Sequence, residues 1–249
     1  LPINPIEYHG PHLSLHNDHV VSMGLIRDLH AALAPRHPQW PLIVCSDLEM
    51  GVEAVPGPGS RAVPFERVRA AVVEACDALA DMGARAVVLM TFHGSPLHNI
   101  CLEDGVRRLI KRGVPALSPF SLLLAAMARG EAASMSELYA PVPAGPERDQ
   151  LIAAADQDIH AGFLETSLTL HYAPETVSSR LKESSPGPEV NPGIRRATAA
   201  RAAGALGRQE LSQQLNFGAR AAGWYALKPF PGYTGMPHLA NAETGAILA

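Results

Sequence analysis

Short apolar runs alternate along the chain with longer stretches of helical periodicity. "LPIN" (1–4), "PLIVCS" (41–46), "ARAVVLMTF" (84–92) and "VPALSP" (114–119) read as strands. The second is apolar throughout, as a strand covered on both faces is, and the third is the clearest. Between them, Val21, Leu25, Leu29 and Leu33 recur at four-residue spacing in a helix that Asn17 or Asp18 can cap and that stops before Pro35. Pro64 opens a second helix, with Phe65, Val68, Val72, Cys76 and Leu79 on one face and Gly83 just past its end. A third spans about 99–112 and ends at Gly113. This β-α-β-α order, with crossovers of helix length, predicts a mostly parallel sheet covered on both faces. The length suits one large α/β domain or two small ones, and with no clear boundary along the chain a single domain over residues 1–249 is expected. Residues 195–226 read as one long Ala-rich helix. "EAVPGPGSRAVP" (53–64) is too rich in Pro and Gly for regular structure and reads as an ordered loop near a site. "SSPGPEVNPG" (184–193) and "KPFPGYTGMP" (228–237) read as surface turns or oligomer contacts.

Composition narrows the class. At 249 residues, 47% hydrophobic and 18% charged, the chain can bury a sizeable core. A net charge of −4 and a pI near 6.3 give no electrostatic footprint for nucleic acid or anionic membranes. The basic residues are mostly Arg, with Lys only at 111, 182 and 228, which together with abundant Ala fits a GC-rich genome rather than a function. Cys45, Cys76 and Cys101 sit in apolar runs without CxxC spacing, as buried thiols in a reducing compartment do. With no leader pattern and no apolar run of about 18 residues, the expected location is the cytoplasm. The chain opens inside a strand-like segment and closes on the apolar "AILA", so its natural ends are expected to lie outside the given sequence.

Candidate chemistry gathers in three clusters. "IEYHGPHLSLHND" (6–18) holds Glu7, His9 and Asp18, and "TFHGSPLHN" places His93 directly after the best strand. In an open parallel sheet ligands collect beyond the carboxyl ends of the strands, where both clusters emerge. The third, "DQDIHAGFLETS" (156–167), carries His160 and Glu165. Five residues along a helix is a rotation of about 140°, so those two reach one cleft only if the first turn unwinds. Glu-x-His on extended backbone points both side chains to one face. Carboxylates with imidazoles suit Zn, Mn or Fe better than Ca or Mg alone. Two such ions about 3.5–4 Å apart need a shared carboxylate and can ionise a bridging water to hydroxide. Taken singly, each cluster also has a plain reading: the first as a polar loop, His93 as a structural histidine, Glu165 as a cap or the partner of an Arg.

Three motifs in this chain, E-x-H-G-P-H-L-x-L-x-x-D (7–18), "TFHGSPLHN" and H-A-G-x-x-E-T-S (160–167), together with the terminal "GYTGMPHLANAETG", resemble the creatininase (creatinine amidohydrolase) family over essentially the whole chain. The resemblance implies a three-layer α/β/α sandwich, a dinuclear Zn, Mn or Fe site and hydrolysis of C–N bonds in cyclic amides, formamides or peptides. It implies homo-oligomers too, with hexamers favoured. Carried over position by position, Glu7 and His93 hold one metal, His9 the second, and Asp18 bridges them. His160 matches the family's catalytic histidine, a proton carrier to the leaving nitrogen. Creatininase has a glutamate ligand two residues after the histidine matching His93, and here that position is Ser95. Glu165 is the expected substitute, with His98 a weaker one. His12 reads as a hydrogen bonder that orients ligands. His16 and His19 read as helix-entry residues, and Asp158 either orients His160 or caps a helix.

The family's E-H-x-x-F-P-G-T segment is here "EAVPGPGS", and Trp40 and Trp224 both lie away from the motifs. The metal machinery is thus expected to be kept and the substrate walls rebuilt, for a small amide other than creatinine. The expected mechanism has a metal-bridging hydroxide attacking the carbonyl, Zn being the first choice of metal, with two ions per subunit. The alternatives are a dinuclear peptidase acting on a short peptide, a phosphoester hydrolase, disfavoured because only Arg61 lies near the motif loops, and a non-catalytic assembly or binding protein. "GPGS" (57–60) has neither the following helix nor the Lys of a phosphate loop, and Cys45 lies in an apolar run where thiols are inert.

Overall fold

The computed structural model describes residues 1–122, 136–188 and 194–249. The chain falls into two compact units, one formed by Leu1–Tyr8 with Leu15–Leu123 and Ala249, the other by His9–Ser14 with Leu124–Leu248.

In the first unit, strand β1 (Ile3–Asn4) pairs in parallel with β2 (Leu48–Glu49), and β3 (Val87–Val88) in parallel with β4 (Ala116–Leu117). The parallel bridge from Pro2 to Met90, with Ile3 N–H donating to Met90 O at 2.8 Å, ties the two pairs into the order β2-β1-β3-β4. Helices α1 (Asn17–Leu33), α2 (Phe65–Asp81) and α3 (Pro96–Lys111) form the crossovers. The stripe predicted for α2 holds, with Val68, Val72, Cys76 and Leu79 buried. They meet Leu89, Leu102, Val106 and Leu109 in one apolar core with Ile3 and Val52. Gly83 (φ 79°) and Gly113 (φ 78°) stand just past α2 and α3 in the left-handed conformation expected of them. Arg108 forks onto both carboxylate oxygens of Asp77 at 2.7 and 3.0 Å, clasping α3 to α2 at the surface.

The second unit contains α4 (Pro146–Ala153), α5 (Phe163–Tyr172), α6 (Ile194–Ala205), α7 (Gln209–Tyr225) and α8 (Ala242–Leu248). Its core gathers Leu138, Tyr139, Val142, Leu151, Phe163 and Met236. Helix α5 packs on α8, and α6 on α7.

Three expectations change. The run 41–46 is no strand: parallel pairing with β1 begins only at Leu48, and Ile43 is 76% exposed. On α1 the buried face carries Asn17, Asp18, Val21, Ser22 and Ile26, so the Leu25–Leu29–Leu33 stripe is only half-buried. The rotation follows from Asp18 and Ser22, which point inward to polar partners rather than to water. The helix expected over 195–226 is two helices, broken at Gly207 (φ 72°). Residues 189–193 of the expected turn lie outside the described residues.

This placement predicts opposite outcomes for two apolar truncations. Leu102→Ala, in the core, is expected to lower unfolding free energy by about 2–5 kcal/mol. Ile43→Ser is expected to stay within about 0.5 kcal/mol of the parent in denaturant unfolding. A core-sized loss at Ile43 would restore the buried strand that the sequence suggested.

Candidate metal centre

Two clusters form, one in each unit. In the first, Glu7 follows β1, Asp18 lies in the first turn of α1 and His93 follows β3. Each offers one ligand atom within 4.8 Å of the others, and all three are buried. The Asn4 side-chain oxygen draws the three elements together. It accepts from Ser22 Oγ of α1 at 2.9 Å, from Phe92 N–H at 3.2 Å and from Thr91 Oγ1 at 3.4 Å. A buried amide oxygen with such partners avoids the cost of an unmet acceptor and fixes where each ligand-bearing segment starts.

The loop after β2 sets the orientation of Glu7 and His93. Val55 N–H donates to Glu7 Oε2 at 2.7 Å, and His93 Nε2 lies 2.8 Å from the Val52 carbonyl. A carbonyl only accepts, so Nε2 carries the hydrogen and Nδ1 faces the carboxylates, 3.0 Å from Glu7 Oε1 and 3.8 Å from Asp18 Oδ2. Burial disfavours the charged imidazole, but Glu7 and then Asp18 outweigh it and raise the His93 pKa to about 9. Two buried carboxylates converging on one imidazole nitrogen fit a divalent ion, which would take the place of that proton.

The second cluster is built on the kinked entry to α5. His9 Nε2 lies 3.1 Å from Glu165 Oε1, and the His9 and His160 rings stack with centroids 4.4 Å apart. His160 precedes the helix while Glu165 sits in its first turn, so the unwound start anticipated above brings both to His9. Ala161, at φ 47°, turns its N–H onto Glu165 Oε2 at 2.6 Å, while its carbonyl faces His12 Nε2 at 3.1 Å. Burial pushes the Glu165 carboxyl up, yet His9 and His160 hold it down at about 2. Burial lowers His12 to about 4, keeping it a neutral hydrogen-bonding wedge, as its motif position suggested. Asp158 accepts from Leu164 N–H at 2.8 Å and so caps α5, and burial raises its pKa to about 7. A Cβ on Gly162 would run into the Asp158 carboxylate, which explains the glycine after His160-Ala161.

Other residues differ from expectation. His98 lies 3.2 Å from both Thr91 Oγ1 and the Ile3 carbonyl, outside the ligand trio, with its pKa lowered to about 3 by burial and by His93. It is a core histidine, not the stand-in for a carboxylate at Ser95. His16 and His19 do stand at the entry to α1, as expected, and pair with Glu49 and Asp47. Trp224, away from every motif, packs its ring 5.1 Å from that of His160, and Thr234 Oγ1 accepts from His160 N–H at 3.0 Å. The segment 228–237 is therefore more than surface turn. Glu53, which opens the 53–64 loop expected near a site but is not among the expected site residues, accepts from Ser95 Oγ at 2.7 Å.

A family model described as Creatininase, creatinine amidohydrolase, matches residues 1–249. No curated protein matches the chain by sequence. Among solved structures, a Bacteroides fragilis NCTC 9343 protein assigned as a creatinine amidohydrolase is 20% identical, with a TM-score of 0.59 over 99% of this chain and 83% of that one. A mutant creatininase complexed with creatine is 19% identical, TM-score 0.58, over 100% and 85%. A mutant creatininase of Zn-Zn type is 19% identical, TM-score 0.57, over 100% and 84%. The α/β fold is thus of the creatininase kind, as the motifs implied.

The protonation of His93 generates a prediction. Below about pH 9 its Nδ1 carries a proton that a divalent ion must displace. Metal uptake at neutral pH is expected to release about one proton from this group, and apparent affinity to climb about tenfold per pH unit until His93 loses its proton unaided. Titration calorimetry in buffers of different ionisation enthalpy measures both, and a flat pH response would exclude His93 from the ligand set.

Proposed function

The chain belongs to the creatininase family of metal-dependent amidohydrolases, and from that membership we propose that it hydrolyses a C–N bond in a small amide, cyclic amide or formamide other than creatinine. The observation that carries this reading is the buried convergence of Glu7, Asp18 and His93, with imidazole Nδ1 aimed at both carboxylates. In the proposed assignment Glu7 and His93 hold one divalent ion, His9 and Glu165 the other, and Asp18 is shared. Glu7 and His9 are separated by one residue, which lets a single short segment contribute to each. Zn is the first choice, and Mn or Fe accept the same donors. Such a pair, when bound, supplies an ionised water as nucleophile and a Lewis acid for the carbonyl oxygen.

The chain's own groups do the rest. Val52 O and Val55 N–H keep the tautomer of His93 and the aim of Glu7, so neither side chain must reorganise when charge shifts during reaction. Ala161 N–H does the same for Glu165. His160 is the proposed proton donor to the departing nitrogen. Its ring is stacked on His9 and backed by Trp224, and Thr234 holds its backbone, so it keeps one direction. The proposal includes a single hydrolase domain over residues 1–249 working in the cytoplasm as a homo-oligomer, a hexamer first. No described helix is long and apolar enough to cross a membrane.

Metal counting by mass spectrometry and a panel of formamides, lactams and short peptides test the reading. Two ions per chain and turnover of a non-peptide amide are expected. One ion or none, with no hydrolysis after reconstitution with Zn or Mn, would leave a binding protein, and cleavage of short peptides alone would leave a peptidase. On the best amide, His160→Gln is expected to keep both ions while kcat drops about 10²–10⁴-fold. Asp18→Asn is expected to lose metal and activity together, and a variant retaining both would remove Asp18 from the shared position.

A further inference from the structure

The backbone that carries His93 is held by a residue outside the ligand group. Past β3 the chain turns through His93, Gly94 and Ser95 before α3 begins at Pro96. Gly94 is exposed, and a Cβ built on it would meet nothing within 4 Å, so no neighbour packs against the middle of this turn. Glycine also restricts its own backbone less than any other residue does. Hydrogen bonds to the flanking main chain fix the turn instead. Thr91 Oγ1 accepts from His93 N–H at 3.1 Å. Asn99 Nδ2, in the first turn of α3, donates to His93 O at 3.0 Å and to Ser95 O at 2.9 Å. One amide nitrogen thus closes the turn across Gly94. Asn99 is buried, and its Oδ1 has no hydrogen-bond partner among the described residues, so only the donor end of the amide is engaged.

The two bonds are not equivalent. Ser95 stands four residues before Asn99, and its carbonyl already accepts the Asn99 backbone N–H at 3.1 Å as the helix opens. The His93 carbonyl lies six residues back and outside the helix, and among the described residues only Asn99 binds it. A metal ion asks more of His93 than a hydrogen bond does, because the ring nitrogen must meet the ion along one direction. The Val52 carbonyl sets the rotation of the ring, but the main chain sets where the ring starts. We propose that Asn99 is a positioning residue for the metal centre: it holds the His93 carbonyl so that the imidazole faces Glu7 and Asp18 before an ion arrives. This rests on the metal-dependent reading above and deepens it. A site arranged in advance takes up its ion without first ordering the turn at Gly94, and so keeps binding energy that a loose turn would consume.

Titration of the full chain, stripped of metal by a chelator, with Zn tests this without any substrate, and the metal-free Tm is measured alongside. Asn99→Ser separates the two bonds. A serine hydroxyl reaches the carbonyl four residues back, here Ser95 O, and not the His93 carbonyl. This variant is expected to bind Zn about 10–100-fold more weakly than the parent while its metal-free Tm stays within about 4 °C. Gly94→Ala stiffens the same turn by other means, since the added methyl enters open space and position 94 is not left-handed. Combined with Asn99→Ser, it is expected to restore part of the lost affinity, which a merely structural fault in α3 would not allow. The proposal is overturned if Asn99→Ser binds Zn as the parent does, if Gly94→Ala restores none of the lost affinity, or if the parent takes up no divalent ion. Binding is read without turnover, so Zn affinity that depends on Asn99 in a protein that hydrolyses no amide would sink the hydrolase reading alone.

Discussion

The structure of the first unit depends on burying two carboxylates against one imidazole. Removing a charge from water costs several kcal/mol per ion even after the protein relaxes. Glu7, Asp18 and His93 are all but inaccessible, so that cost must be offset on the spot. The Val55 N–H on Glu7, the Val52 carbonyl on His93 and the proton shared with the carboxylates provide the compensation. A divalent cation bound there would offset it further, because it would bring two charges where the proton brings one. The loop 52–55 cannot then be freely redesigned: both of its ends are occupied in aiming ligands, and whatever it exposes is exposed beside them.

The same constraint accounts for the parallel strand order. The residues that follow β1 and β3 must lie side by side at one edge, and the Pro2–Met90 bridge achieves this by placing the two strands next to each other. Asn4 completes the arrangement by gathering α1 as well, so the three side chains arrive from three elements with a common anchor. The apolar core of Val72, Cys76, Leu89 and Leu102 makes that edge rigid but has no part in the chemistry. Strain appears only next to the charged groups, at Glu53 and Ala161, the two non-glycine residues with left-handed backbone among the described residues. At Ala161 the strain presents an N–H to Glu165 and a carbonyl to His12, and at Glu53 it accompanies a carboxylate set on buried Ser95. Both are places where local stability is sacrificed for direction.

The sequence by itself determined the α/β alternation, the buried stripe of α2, the glycine stops at 83 and 113, and the identity of the charged side chains. These follow from local rules: side-chain periodicity, backbone freedom and the density of ligand-type residues in short motifs. It misjudged 41–46 because an apolar run records hydrophobicity, not which partner strand reaches it, and β1 pairs only from Leu48 onward. Tertiary structure alone decided the rest. That His98 is core, that Trp224 backs His160 and that Glu53 sits on Ser95 depends on contacts between residues 7 to 95 positions apart, and no spacing in the chain encodes them. Ligand identity is a property of residue type and survives in one dimension, whereas ligand direction depends on hydrogen bonds from distant backbone and exists only once the chain has folded.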